Sequence, residues 1–433
     1  MSEAHDSAAG AATAQVLIVG GGFVGLNAAK TLGNRPRVQV TLLDRQNHHL
    51  FQPLLYQVAT AALSPADIAA PIRSILAHYR NIRVLQGSAQ AINLSARSVT
   101  TDIGELRYDY LVLACGATHA YFGHEEWEAY APGLKTLPQA TEIRRRILSA
   151  FEAAESERDP AGHERLMTFV IVGAGPTGVE LAGAIGEMSR YTLARDFRHI
   201  DPRQARVILL EAGPRILPTF SDDLARRAHR DLEALGVQVR LSCKVTGVSE
   251  RGVTMGDESI DAATVLWAAG VRASDLGASL GLERDRSGRV PVGPDLAIAG
   301  HREVFVAGDM AHCRDVDSDR LLPGVAQAAI QEGIYIGRTI LAELAGRQRQ
   351  PFHYHDKGQL ATIGRSRAIC EMKHVRFSGH LAWWVWLVVH IYSLTGFRNR
   401  LSVMLQWAWS YFTFGRGARL IVEREWREHG ASE

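Results

Sequence analysis

The stretch VLIVGGGFVGLNAAKTLGNRPRVQVTLLD, Val16–Asp44, decides how the rest of the chain is read. Its first four residues, Val16–Val19, are apolar without alternation, the pattern of a parallel strand covered on both faces. Gly20, Gly22 and Gly25 follow in GxGxxG order. The first permits a tight turn, the second lets a pyrophosphate approach the backbone, and the third lets helix and strand pack closely. The helix, expected from Phe23 towards Leu32, aims its free N–H groups at the phosphates. A second apolar strand, Val38–Leu43, ends at Asp44, placed to accept hydrogen bonds from the ribose hydroxyls of an adenine nucleotide. GxGxxG alone is a weak signal; strand, loop, helix, strand and terminal acid in that order make a specific one.

The same order recurs later. Thr168–Val172 reads as a strand, Gly173, Gly175 and Gly178 form a second GxGxxG, Val179–Met188 is its helix, and the strand Arg206–Leu210 ends at Glu211. The gap from these glycines to Glu211 exceeds the roughly 20 residues expected, because Tyr191–Pro202 is inserted. A carboxylate there favours a free 2′-hydroxyl and repels a 2′-phosphate, so NADH is expected over NADPH, with Arg215 the nearby cation that a phosphate could use. Between the two units, residues 139–165 read as a charged, exposed helical connector.

Around these units the chain offers further candidates. His48–Ala70 is either core and loop or a lining for the far end of the cofactor, with a helix starting at Ser64-Pro65. Strands are expected at Ile82–Leu85, Ser98–Thr101 and Tyr110–Ala114, the last running into a turn that brings the backbone at Ala117 close to something flat or phosphorylated. Beyond Glu211 come a helix from Ser221 to Leu235, a strand at Gln238–Leu241, and Val265–Gly270, where Gly270 closes the second nucleotide unit. Val304–Val306 delivers Gly308-Asp309, placing a carboxylate at the ribityl and pyrophosphate region of a flavin dinucleotide. The first domain therefore resumes here, interrupted by the second. A helix started by Pro323-Gly324 puts Gln327 and Gln331 on one face, and their amides can hydrogen-bond a carbonyl that becomes a hydroxyl; surface solvation is the alternative.

Lys+Arg 48 against Asp+Glu 46 gives a net charge of +2, no general attraction for nucleic acid. The four cysteines, Cys115, Cys243, Cys313 and Cys370, form no CxxC or similar pair, which disfavours zinc, a close redox dithiol and a secreted disulfide scaffold. Residues 1–14 are small and polar, a short disordered lead without a signal-peptide core. Six of the eight tryptophans, Trp383, Trp384, Trp386, Trp407, Trp409 and Trp426, crowd the end of the chain among Arg398, Arg400, Arg416 and Arg419. The apolar runs Leu381–Phe397 and Leu401–Phe414 fall short of the roughly 20 residues of a spanning helix. Tryptophan with arginine suits helices lying in a lipid headgroup region, a spanning hairpin and a dimer-core helix pair being the other readings.

On VGGGFVGLNAAK, FQPLLYQVATAALSPADIA, IVGAGPTGVELAG, LLEAGPRILP, WAAGVRAS, VFVAGDMA, PGVAQAAIQEG, QLATIGR and GFRNRLSVMLQWAWSY, the chain resembles the bacterial type II NADH dehydrogenases, single-subunit, non-proton-pumping NADH:quinone oxidoreductases. The glycine motifs fit any two-dinucleotide flavoprotein; the AQxxxQ segment and the aromatic tail are the specific parts. The resemblance implies an α/β fold of two Rossmann-like dinucleotide-binding domains, the second inserted in the first, with a C-terminal membrane-associating helical region. Its expected limits are 15–125 and 291–350 for the FAD-binding domain, 126–290 for the NADH-binding domain and 351–433 for the tail. It implies FAD on the first unit, NADH as co-substrate on the second, ubiquinone or menaquinone from the membrane, a homodimer, and peripheral attachment to the cytoplasmic face of the inner membrane. Carried over, Asp44 holds the FAD ribose, Asp309 the flavin chain, Gln327 and Gln331 the quinone, Glu180 a proton near the flavin, and Lys357 the isoalloxazine edge. A sulfide:quinone or disulfide reductase, which needs cysteines meeting at the flavin, and an NADH-binding sensor flavoprotein are the competing classes.

Overall fold

The computed structural model describes residues 13–394, 397–413 and 417–421. Residues 1–12 of the expected lead, together with Thr395, Gly396, Phe414, Arg416, Trp426 and the Arg398 side chain, lie outside the described residues. The first strand includes Ala14, which the sequence reading places in the lead.

The chain forms two compact units. The first contains the described residues up to His49, Ala70–Thr118 and Val271–Asp356; the second contains Leu50–Ala69, His119–Gly270 and the described residues from Lys357 onward. The chain passes between them at 49/50, 69/70, 118/119, 270/271 and 356/357, where the sequence reading expects limits at 125/126, 290/291 and 350/351. Physically, the first unit reclaims the chain early because Leu276, Leu280 and Val290 are buried in its core.

In the first unit a six-stranded sheet runs in the order Ala297–Ile298, His301–Val306, Tyr110–Leu113, Ala14–Val19, Val38–Asp44, Ile82–Gln86. All neighbours are parallel except the first pair. The register sets Val19 beside Leu43 and Leu113, so the three strands end level and their following loops share one edge. Helix Phe23–Leu32 begins where the sequence places it, whereas the later helix runs over Ala326–Leu344, starting after Pro323-Gly324.

The second unit repeats the design with four parallel strands in the order Val237–Arg240, Arg206–Leu210, Thr168–Val172, Thr264–Trp267. Helix Leu137–Ser156 is no exposed connector. Its residues Ala140, Ile143, Ile147, Phe151 and Ala154 are buried at helical spacing, and Phe151 stacks on Phe169 with ring centroids 5.1 Å apart. Arg144, buried in the same face, donates to the carbonyls of Val58 (Nε, 2.7 Å) and Leu63 (Nη2, 2.7 Å), pinning the 50–69 segment. An antiparallel sheet, Gln359–Gly364, Arg367–Glu371 and Arg376–Ser378, leads into helices His380–Ser393 and Phe397–Thr413. Among the described residues no helix is long and apolar enough to cross a membrane.

The tail helices dock by specific bonds. Trp407 Nε1 donates to Gln57 Oε1 (2.7 Å), Ser402 Oγ and Gln406 Nε2 donate to the Asp67 carboxylate (2.9 and 3.0 Å), and Trp386 stacks on Trp407 at 5.1 Å. Their other face is left to solvent: Leu381, Trp384, Val388 and Tyr392 form one exposed stripe, and Leu401, Met404, Leu405 and Trp409 form a second.

Candidate functional site

The two glycine loops are built alike. Gly20 (φ +107°) and Gly173 (φ +99°) take the left-handed region that opens each turn. A Cβ on Gly25 would fall on the Gly20 carbonyl, and one on Gly178 on the Gly173 carbonyl, so the helix can pack this close only through glycine. A Cβ on Gly22 or Gly175 would meet nothing within 4 Å. That open side, at the N-terminus of the helix each one caps, is where a pyrophosphate fits.

The two acids have matching partners. Asp44 accepts the N–H of Gly21 (2.5 Å) and Gln46 (2.6 Å); Glu211 accepts the N–H of Ala174 (2.7 Å) and Gly213 (2.7 Å). Each carboxylate therefore braces its own glycine loop and keeps lone pairs for a ribose diol. Arg215 is committed elsewhere: it pairs with Asp222 and donates to the carbonyls of Phe220 (3.1 Å) and Pro218 (2.7 Å). Gly270 (φ +78°) sits in the second unit with the Phe122 ring where its Cβ would be.

In the first unit Gly116 (φ +68°) precedes Ala117, and Gly308 (φ +69°) precedes Asp309. Two neighbours were not among the residues singled out from the sequence. Glu332, fully buried one residue past Gln331, accepts the Gly308 N–H at 2.5 Å, and burial pushes its carboxyl up to about 7. His49, with Nδ1 3.0 Å from the Gly21 carbonyl and its ring edge against Phe23, is held down to about 4 by burial. An acid directly after Gln331 and a histidine five residues after Asp44 are their marks in the sequence.

Gln327 and Gln331 are both half-buried in the first turns of helix Ala326–Leu344. The Gln331 amide pairs with the backbone of His355, donating to its carbonyl and accepting its N–H at 3.0 Å each. Cys115 and Cys313 are free thiols that burial pushes up to about 12, opposing the thiolate a redox dithiol needs.

The second unit contains a half-enclosed cleft of about 110 Å³. Glu180 lines it from helix Pro176–Glu187, whose close packing on strand Gln359–Gly364 requires Gly183 against the Ile363 carbonyl. Burial raises the Glu180 carboxyl to about 8 against the opposing hydrogen bond from the Thr362 N–H. Gln57, Thr60 and Thr362 add polar groups, and Trp383, Trp386 and Trp407 form the aromatic wall. Lys357 is exposed in the loop preceding that strand.

Two dinucleotide cradles of one stereochemistry, with a Gly-Asp strand end beside the first, define a pyridine-nucleotide oxidoreductase. Residues 14–333 match the pyridine nucleotide-disulphide oxidoreductase family and residues 356–417 match the NDH2 C-terminal domain. The type II NADH:quinone oxidoreductase Ndh of Mycobacterium tuberculosis is 45% identical over 95% of this chain and 91% of its own, and NdhA of the same organism is 46% identical over 95% and 90%. In fold, NDH2 from Plasmodium falciparum in complex with NADH superposes with a TM-score of 0.87 at 17% identity, covering 95% of this chain and all of that one. The sulfide:quinone oxidoreductase of Aquifex aeolicus superposes at 0.71 and 18% identity, over 89% of this chain and 92% of that one. The chain belongs to the type II NADH:quinone oxidoreductase family.

Proposed function

We infer that the chain is an FAD-dependent NADH:quinone oxidoreductase. The observation that carries this is the pair of matched cradles, each braced by its own acid, in a chain that aligns along its length with enzymes named for that reaction. Bound FAD supplies a two-electron relay between a hydride donor and a quinone. The residues around it bind, orient and exclude water. The Gly20–Gly25 loop, Asp44, Ala117, Gly308 and Asp309 hold FAD, and the Gly173–Gly178 loop, Glu211 and Gly270 hold NADH. With Arg215 already paired, Glu211 sets the preference for the free 2′-hydroxyl.

Glu180, protonated at neutral pH, is the acid that exchanges the reaction proton. Gln327 and Gln331 meet the quinone, the Gln331 amide also being tied to the His355 backbone, and Lys357 lies at the isoalloxazine edge. The exposed apolar stripes of the two tail helices lie in the headgroup layer on the cytoplasmic face, and the enzyme acts as a homodimer whose quinone is ubiquinone or menaquinone. Purified protein should carry FAD and oxidise NADH with a short-chain quinone as acceptor. FAD-loaded protein whose NADH-reduced flavin is not reoxidised by quinone would overturn the assignment.

A further inference from the structure

Resting on the quinone-reductase reading, one requirement of the reaction has no path yet: the supply of Glu180 from solvent. NADH carries two electrons and one proton, while reducing a quinone to a quinol consumes two electrons and two protons. One proton per turnover must therefore come from solvent.

The cleft in the second unit offers it a path. Glu180 and Glu187 stand seven residues apart on helix Pro176–Glu187, two turns and about 10 Å along the axis, and both line the cleft. Between them on the same face stands Ala184, whose small side chain leaves the passage open. The rest of the lining carries Thr60, Gln57, Thr192 and Thr362, all able to donate and accept. A gap of that length takes two or three waters at hydrogen-bond spacing of about 2.8 Å. A space of about 110 Å³ holds several, since one needs roughly 10–15 Å³.

A second observation points to water in this space. The indole Nε1 of Trp386, a residue 2% exposed that lines the cleft, has no hydrogen-bond partner among the described residues. A buried N–H is rarely left so, and water in the cleft gives it a partner. At the Glu187 end of the helix, the Arg365 N–H donates to Glu187 Oε1 at 3.3 Å and fixes that carboxylate in the lining. The charged or titratable groups facing the space are Glu180, Glu187, Arg365 and Tyr56.

We propose that this cleft is a proton route, in which Glu187 takes a proton from solvent and passes it by ordered water past Ala184 to Glu180. Glu187 acts through Glu180 and is a positioning and relay residue. When Glu180 gives its proton to the reduced acceptor, the proton it regains leaves Glu187, which is refilled from solvent. Charge and protons balance with no further reactant.

The test uses FAD-loaded protein in stopped flow, reading flavin reduction by NADH and flavin reoxidation by a short-chain quinone separately, in H2O and D2O. Glu187→Gln removes the outer acid, and Ala184→Leu plugs the passage while keeping both acids. Both should slow reoxidation at least tenfold and enlarge its solvent isotope effect, with flavin reduction by NADH unchanged. Formate, a small diffusible acid, should restore Glu187→Gln and fail to restore Ala184→Leu. Wild-type reoxidation rates in both variants would overturn the route. If quinone fails to reoxidise even the wild-type flavin, the quinone reading itself falls and takes the route with it.

Discussion

Replacing Glu180 with glutamine removes a titration that the folded protein carries at a cost. The carboxyl has an ordinary value of 4.5 and stands at about 8 in the folded chain because burial penalises its charged form. Below pH 4.5 both folded and unfolded chains hold the proton, so the group contributes nothing to the pH dependence. Between 4.5 and 8 the unfolded chain releases it while the folded chain keeps it, so stability falls as pH rises, by about 1.4 kcal/mol per pH unit. The loss reaches about 3 kcal/mol at pH 7 and levels off near 5 kcal/mol above pH 8, as orders of magnitude. Glutamine keeps the shape and an acceptor oxygen for the Thr362 N–H but has no proton to release. Glu180→Gln should therefore match wild type near pH 4.5 and be more stable by a growing margin up to pH 8. Paired urea denaturations of the FAD-loaded proteins across that range read the difference. Parallel pH profiles for the two proteins would refute the burial of a neutral carboxyl at this position.

Three other outcomes are expected. Glu211→Ala removes both the brace on Ala174 and Gly213 and the ribose acceptor, so KM for NADH should rise about tenfold or more and the preference over NADPH should shrink, read by steady-state kinetics with each nucleotide. Gly22→Ala should fold and lose FAD, because its Cβ points into open space where the pyrophosphate fits; Gly25→Ala should fail to give soluble protein, because its Cβ falls on the Gly20 carbonyl, and FAD content against soluble yield separates the two. Leu405→Glu with Trp409→Glu, both on the exposed stripe of the last helix, should abolish liposome co-sedimentation at a loss of about 2 kcal/mol or more per residue, while turnover with a short-chain quinone persists.

The nucleotide units were legible because each is a local object: strand, glycine turn, helix and acid lie within one continuous stretch, and the observed strands Thr168–Val172 and Arg206–Leu210 coincide with those read from sequence. Charge hid the stripe of helix Leu137–Ser156. Ala140, Ile143, Ile147 and Phe151 repeat at helical spacing, yet the arginines between them dominate composition, and the buried Arg144 is satisfied by carbonyls more than eighty residues earlier. The membership of Leu50–Ala69 in the second unit was equally out of reach. It depends on those same bonds and on Gln57 meeting Trp407, pairings that no local pattern specifies. Glu332 and Trp386 look like ordinary helix residues until burial shows what they touch.

The most direct test of the NADH-to-quinone assignment is anaerobic stopped flow on the detergent-solubilised, FAD-loaded protein. Flavin absorbance is followed on mixing with NADH or NADPH, and then with a short-chain quinone. Fast bleaching by NADH, weak bleaching by NADPH and fast recovery with quinone are expected. Bleaching without recovery would contradict the assignment, leaving a nucleotide-binding flavoprotein that does not reduce quinone.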